Sequence, residues 1–134
     1  MKTSTLLRVS IVTQWLLVPV AIVASFFLES YLPDPLQKWL QLDSGLPFSS
    51  LEVIALVSAL ALMVIAFVGS VGLFFLKKWA AWTYLASTLL GYLIYPLLGP
   101  TVEHSYVSAL CDIATLLTGF TFGLAFFGNA LRAE

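Results

Sequence analysis

The chain is short of charge. Six residues are Lys or Arg and seven are Asp or Glu, 10% of 134, where soluble domains carry about a quarter. A net charge of −1 offers no basic face to neutralise phosphates, which excludes a nucleic-acid partner. There is one cysteine, Cys111. It excludes an internal disulfide, Cys-pair redox chemistry and a Cys-rich zinc site, and it reads as a small apolar packing residue. A nucleophile elbow, a Gly-rich phosphate loop, an HExxH pair and a carboxylate pair are all missing, so no enzymatic activity and no cofactor are expected. The one histidine, His104, has Glu103 beside it. That is too few ligands for a metal, and His104 reads as a residue of a surface turn.

What the chain has is apolar length. It is 60% hydrophobic, with a mean hydropathy of +1.00. Crossing a hydrocarbon core takes about 20 mostly apolar helical residues, and four stretches reach that length: 9–28, 53–76, 79–98 and 107–131. Packed inside a soluble domain they would leave almost no polar surface to cover them. The expected fold is all-α and single-domain: an integral membrane, antiparallel four-helix transmembrane bundle, with a short outer interfacial helix in the loop 29–50. Lys2 and Arg8 would suit a signal peptide, but the apolar run continues through Leu28 and reads as a retained first span.

Basic residues set the orientation. With the N-terminus inside, Lys2, Arg8, Lys77, Lys78 and Arg132 are cytoplasmic and Lys38 alone lies outside. The expectation is a multi-pass protein of the cell inner membrane with both termini cytoplasmic. Trp79 and Trp82 would mark the inner boundary, with Trp15 in the inner part of the first span, and Tyr31, Tyr95 and Tyr106 the outer one. In the outer loop, "PDPLQKWLQL" predicts a helix with Asp34 as N-cap, Pro35 at the first position and Leu36, Trp39 and Leu40 on one face. Gly45 and Pro47 would end it. "SSLE", Ser49 to Glu52, is a capping box for the second span. Pro19 should kink the first span. Trp39, Lys38 and His104 are the candidate outer-loop contacts.

In the fourth span Asp112, Thr115, Gly119 and Gly123 recur at spacings of three, four and four, on one helix face. Gly119-x-x-x-Gly123 is a small-residue packing motif, so the stripe is assigned to contacts inside the bundle, with homodimerisation as the alternative. Asp112 should share that inward face, with Tyr92 and Ser58 at similar depth to donate hydrogen bonds. Two readings of it stay open: polar glue between helices, or a proton- or cation-responsive group at a site.

At "GSVGLFFLKKWAAW" and "YPLLGP", within residues 69–100, the chain resembles small four-span proteins of bacterial inner membranes that have no assigned activity. The resemblance implies a fold and carries over no functional residue. Small multidrug transporters also have four spans, but their single acid sits in the first helix, where this chain has none. The leading expectation is a non-enzymatic binding or accessory protein that engages the bilayer and another membrane protein or itself. An immunity protein against a pore-forming toxin is a specific version. The alternative is a small oligomeric proton- or cation-coupled transporter or channel using Asp112.

Overall fold

The computed structural model describes residues 2–44, 49–98, 102–128 and 131, and among these every regular element is a helix. The first, α1, runs Thr3–Leu28 and continues into a 3₁₀ turn at Glu29–Tyr31. Pro19 lies inside it without breaking it. It does withdraw the N–H that the carbonyl of Trp15 would otherwise accept.

The loop helix α2 spans Asp34–Ser44. It starts one residue earlier than expected, because the carbonyl of Pro33 accepts from the N–H groups of Leu36 (2.9 Å) and Gln37 (3.1 Å). Asp34 is therefore the first helical residue and not the cap. The Gln37 amide folds back onto the carbonyls of Ser30 (2.9 Å) and Leu32 (2.7 Å), tying α2 to the end of α1. Trp39 and Leu40 are half-buried while Leu36 and Lys38 are exposed. The expected stops at Gly45 and Pro47 lie outside the described residues.

Helix α3, Ser50–Phe74, opens with the expected capping box: Ser49 N–H donates to Glu52 Oε2 (2.7 Å) and Glu52 N–H donates to Ser49 Oγ (3.2 Å). It closes with Leu76 in the left-handed region at φ 60°. Leu76 N–H bonds the carbonyl of Leu73 and Lys77 N–H that of Gly72, both at 2.9 Å. This is the helix-ending motif that usually selects glycine. Leucine here accepts a backbone cost of about 1–2 kcal/mol, and its side chain packs against the core. Helix α4, Lys78–Ile94, extends through a 3₁₀ turn at Tyr95–Leu98.

Helix α5, Ser105–Phe122, ends in a π turn at Gly123–Phe127, closed by Gly128 N–H on the Gly123 carbonyl (3.1 Å). The fourth span thus stops at Phe127, short of the expected 131, because the wider turn closes the helix there. Arg132, counted in the orientation argument, lies outside the described residues.

Among the described residues four helices are long and apolar enough to cross a membrane: Thr3–Tyr31, Ser50–Phe74, Lys78–Leu98 and Ser105–Phe127. The shortest has 21 residues, which at about 1.5 Å per residue matches a hydrocarbon core of about 30 Å. They associate as two pairs, α1 with α5 and α3 with α4. The pairs meet at the end where Arg8 Nε donates to the Phe74 carbonyl at 3.2 Å. The core sits there too, built from Leu7, Ile11, Leu73, Ala80, Ala81, Tyr84 and Ala125.

Apolar helices in lipid gain little from burial as such, and close approach of small residues holds them together. That approach falls on α3 and α4. A methyl on Gly69 would stand 2.9 Å from the Tyr84 backbone nitrogen, and one on Gly72 would stand 2.6 Å from Ala80 Cβ. Away from this end the packing loosens. Between Gln14 and Leu32 no residue of the first helix is buried, so α1 and α3 diverge and leave a cleft.

Candidate functional site

The inward face of α5 is the row Val107, Leu110, Ala114, Leu117, Thr121 and Ala125, all buried or half-buried. Asp112 is two residues from both Leu110 and Ala114, which turns it about 200° around the helix from that row. It is exposed, and so are Thr115 and Gly119. The expectation that Asp112 looks into the bundle is corrected: its stripe shares one face, and that face points outward. Gly119 and Gly123 have no atom within 4 Å of where a Cβ would stand, so they are not the packing glycines. Gly69 and Gly72 take that role.

The trio Asp112, Tyr92 and Ser58 is not assembled. Among the described residues Asp112 makes no hydrogen bond or ion pair. The Tyr92 hydroxyl, on a side chain 55% exposed, instead donates to Thr115 Oγ1 at 3.4 Å. Thr115 Oγ1 donates in turn to the Cys111 carbonyl at 2.9 Å. Thr115 therefore does join two helices, at the surface. Cys111 is exposed and is not a packing residue. Ser58 borders a separate shallow pocket with Ile54, Ile94 and Leu97. The result is an outward face carrying a carboxylate without a partner among the described residues, a hydroxyl pair and glycine surface with nothing against it.

The outer-loop candidates divide as well. His104 caps α5: its Nδ1 accepts the Tyr106 N–H at 3.4 Å, and its ring stacks on Tyr106 with centroids 5.3 Å apart. With Glu29, Glu103 and Leu40 it borders a small cavity of about 190 Å³ between the two loops. Lys38 and Trp39 do not line that cavity. Among the described residues no group of His, Cys, Asp or Glu could hold a metal ion.

A second centre, which sequence reading missed, lies inside. The Tyr84 hydroxyl donates to Gln14 Oε1 (2.7 Å), and Gln14 Nε2 donates to Thr121 Oγ1 (2.7 Å). Thr121 donates its own hydrogen to the Leu117 carbonyl (2.8 Å). Ser10 Oγ lies 2.8 Å from Thr121 Oγ1, where either hydroxyl can donate, and Ser10 Oγ also reaches the Leu117 carbonyl at 3.4 Å. The Gln14 amide thus has its oxygen toward Tyr84 and its nitrogen toward Thr121. Alongside it Trp15 Nε1 donates to Ser70 Oγ (2.9 Å), and Ser70 donates to the Phe67 carbonyl (2.7 Å). Trp15 is thus packed on α3, with its ring 5.8 Å from those of both Phe67 and Phe74.

The signal was present in the sequence. Gln14 is the only Gln within an apolar span, and Ser10 stands four residues before it on the same face. These groups link α1 to α3, α4 and α5, and Gln14, Trp15, Ser70 and Tyr84 among them line one end of the cleft between α1 and α3. Comparison with protein families, with curated proteins and with solved structures finds nothing that matches this chain.

Proposed function

We propose that the chain is a non-enzymatic protein of a bacterial inner membrane, with both termini cytoplasmic, that engages another membrane protein through the outward face of α5. One observation carries the reading: Asp112 is a carboxylate without a partner among the described residues, on an exposed face of a span-length helix. An ionisable group at that position is costly in hydrocarbon and calls for a partner. The open surfaces of Gly119 and Gly123 beside it let a second helix approach closely.

A different protein suits this face better than a second copy does. Symmetric self-association on the stripe brings two Asp112 carboxylates toward each other, and like charges repel strongly where water is scarce. No Lys or Arg stands near Asp112 on this face of α5 to offset them. Immunity toward a pore-forming toxin is a specific form of such recognition, since its chemistry is binding within the bilayer. The transporter or channel reading needs Asp112 along a path, and an outward Asp112 meets that need only in an oligomer.

The test is a photo-crosslinking residue at Leu116 or Gly119, compared with one at Met63 on α3. Crosslinks to a distinct membrane protein at the α5 positions, reduced by Asp112→Asn, support the proposal. Crosslinks between copies favour the oligomeric alternative, and crosslinks to lipid alone overturn both.

A further inference from the structure

The cleft between α1 and α3 has a volume of about 480 Å³, within the range of about 300–1,000 Å³ that small-molecule sites occupy. Its walls are apolar: Val18, Ile22 and Val23 from α1 face Met63, Ala66 and Phe67 from α3. From Gln14 to Val23 the α1 wall is about 14 Å long at ~1.5 Å per residue. At one end stand Gln14, Trp15, Ser70 and Tyr84.

The hydrogens at that end can be counted. Trp15 spends its N–H on Ser70, Ser70 its hydrogen on Phe67, and Tyr84 its hydrogen on Gln14. Gln14 differs. Its Nε2 carries two hydrogens, and one bond, to Thr121, accounts for only one of them. The side chain is 6% exposed and forms part of the cleft lining. A half-used donor buried at the end of an apolar slot is a binding feature, because burying an amide hydrogen without an acceptor is unfavourable. No Lys, Arg, His, Asp or Glu lines the cleft, so nothing there would balance a charged head.

We infer that this cleft binds a neutral amphiphile: a hydrocarbon body lying between α1 and α3, led by an uncharged carbonyl or hydroxyl oxygen that accepts the second Nε2 hydrogen of Gln14. The aromatic rings of Trp15, Phe67 and Tyr84 flank the position of that head. The inference uses none of the residues of the α5 face and stands apart from the protein–protein reading.

The test uses the full chain in detergent micelles, with bound ligand counted by native mass spectrometry. Four probes share a ten-carbon tail: a decyl-substituted benzoquinone, a monoacylglycerol, an alkyl phosphate and the plain alkane. The expected result is saturable one-to-one binding of at least one neutral-headed probe, about fivefold or more tighter than the alkane, which is the worth of one net hydrogen bond. The phosphate should bind more weakly still. Whichever neutral probe binds more tightly identifies a ring-headed or an acyl source.

Ala66→Phe fills the slot and should abolish binding, while Gln14→Met should keep the tail contribution and erase the preference for an oxygen head. Equal affinity for all four probes overturns the inference, as does unchanged binding in a folded Ala66→Phe variant. Should Gln14→Met not fold, the head-group series and Ala66→Phe decide alone.

Discussion

Tyr84 and Gln14, seventy residues apart in the chain, meet through a 2.7 Å hydrogen bond in which the phenol donates to the amide oxygen. The bond joins the helix pair α3/α4 to the pair α1/α5 where the two pairs touch. Tyr84→Phe keeps the ring and its contact with Phe122, whose centroid is 5.1 Å away, and removes only the hydroxyl. Interhelical hydrogen bonds in membranes average about 0.6 kcal/mol, with a maximum near 1.7, and the loss should fall in that range. A double-mutant cycle of Tyr84→Phe with Gln14→Leu, read by denaturation in micelles, should give a coupling energy of similar size. Zero coupling would mean that the bond does not link the pairs.

Glycine positions make a sharper contrast. Gly69→Ala and Gly72→Ala each force a methyl against α4, at 2.9 Å and 2.6 Å, and overpacking of this kind costs about 1–3 kcal/mol. Gly91→Ala and Gly119→Ala meet open space and should be neutral or slightly stabilising, since alanine is the better helix former by up to about 1 kcal/mol. Thermal denaturation of the four single variants checks the order. Equal effects at all four would remove the packing distinction.

The fold was legible where the signal was additive over many residues. Four apolar runs, the Ser49–Glu52 cap and the loop helix each sum over a turn or more, and each appears in the structure, the first helix starting at Thr3, six residues before its expected span. The facing of α5 was not legible in the same way. Its small residues form two rows: Ala114, Thr121 and Ala125 turn inward, while Gly119 and Gly123 have open space beside them. A small-residue spacing says that something can approach, and it is silent on whether that something belongs to the same chain. Gln14 was passed over because one amide barely lowers the hydropathy of a long apolar run. Its value lies in partners on other helices, which only the tertiary arrangement supplies.

Asp112→Asn and Asp112→Leu should both leave the isolated protein folded, with Leu at least as stable as the parent in a bilayer. The carboxylate has no hydrogen-bond or ion-pair partner among the described residues, so nothing in the bundle is left unpaired by its removal, and an ionisable group is removed from the exposed face of a span-length helix. Circular dichroism and a melting curve in nanodiscs measure this. A large loss of stability in either variant would show that Asp112 is internal glue.

Orientation is checked by cysteine accessibility in a Cys111→Ala background, needed because Cys111 is exposed. A cysteine at Lys77 should resist a membrane-impermeant reagent applied from outside, and one at Ser44 should react. The reverse pattern would invert the assignment of the basic residues to the cytoplasmic side.

The most direct measurement is Gly119→Leu, examined for both folding and partner retention, with Gly72→Leu alongside. Gly119 faces open space and Gly72 faces Ala80. The account predicts that Gly119→Leu gives a folded protein that no longer retains the membrane protein crosslinked at the α5 face, while Gly72→Leu disrupts folding itself. A Gly119→Leu variant that is folded and keeps its partner in full would contradict the account, and so would one that fails to fold.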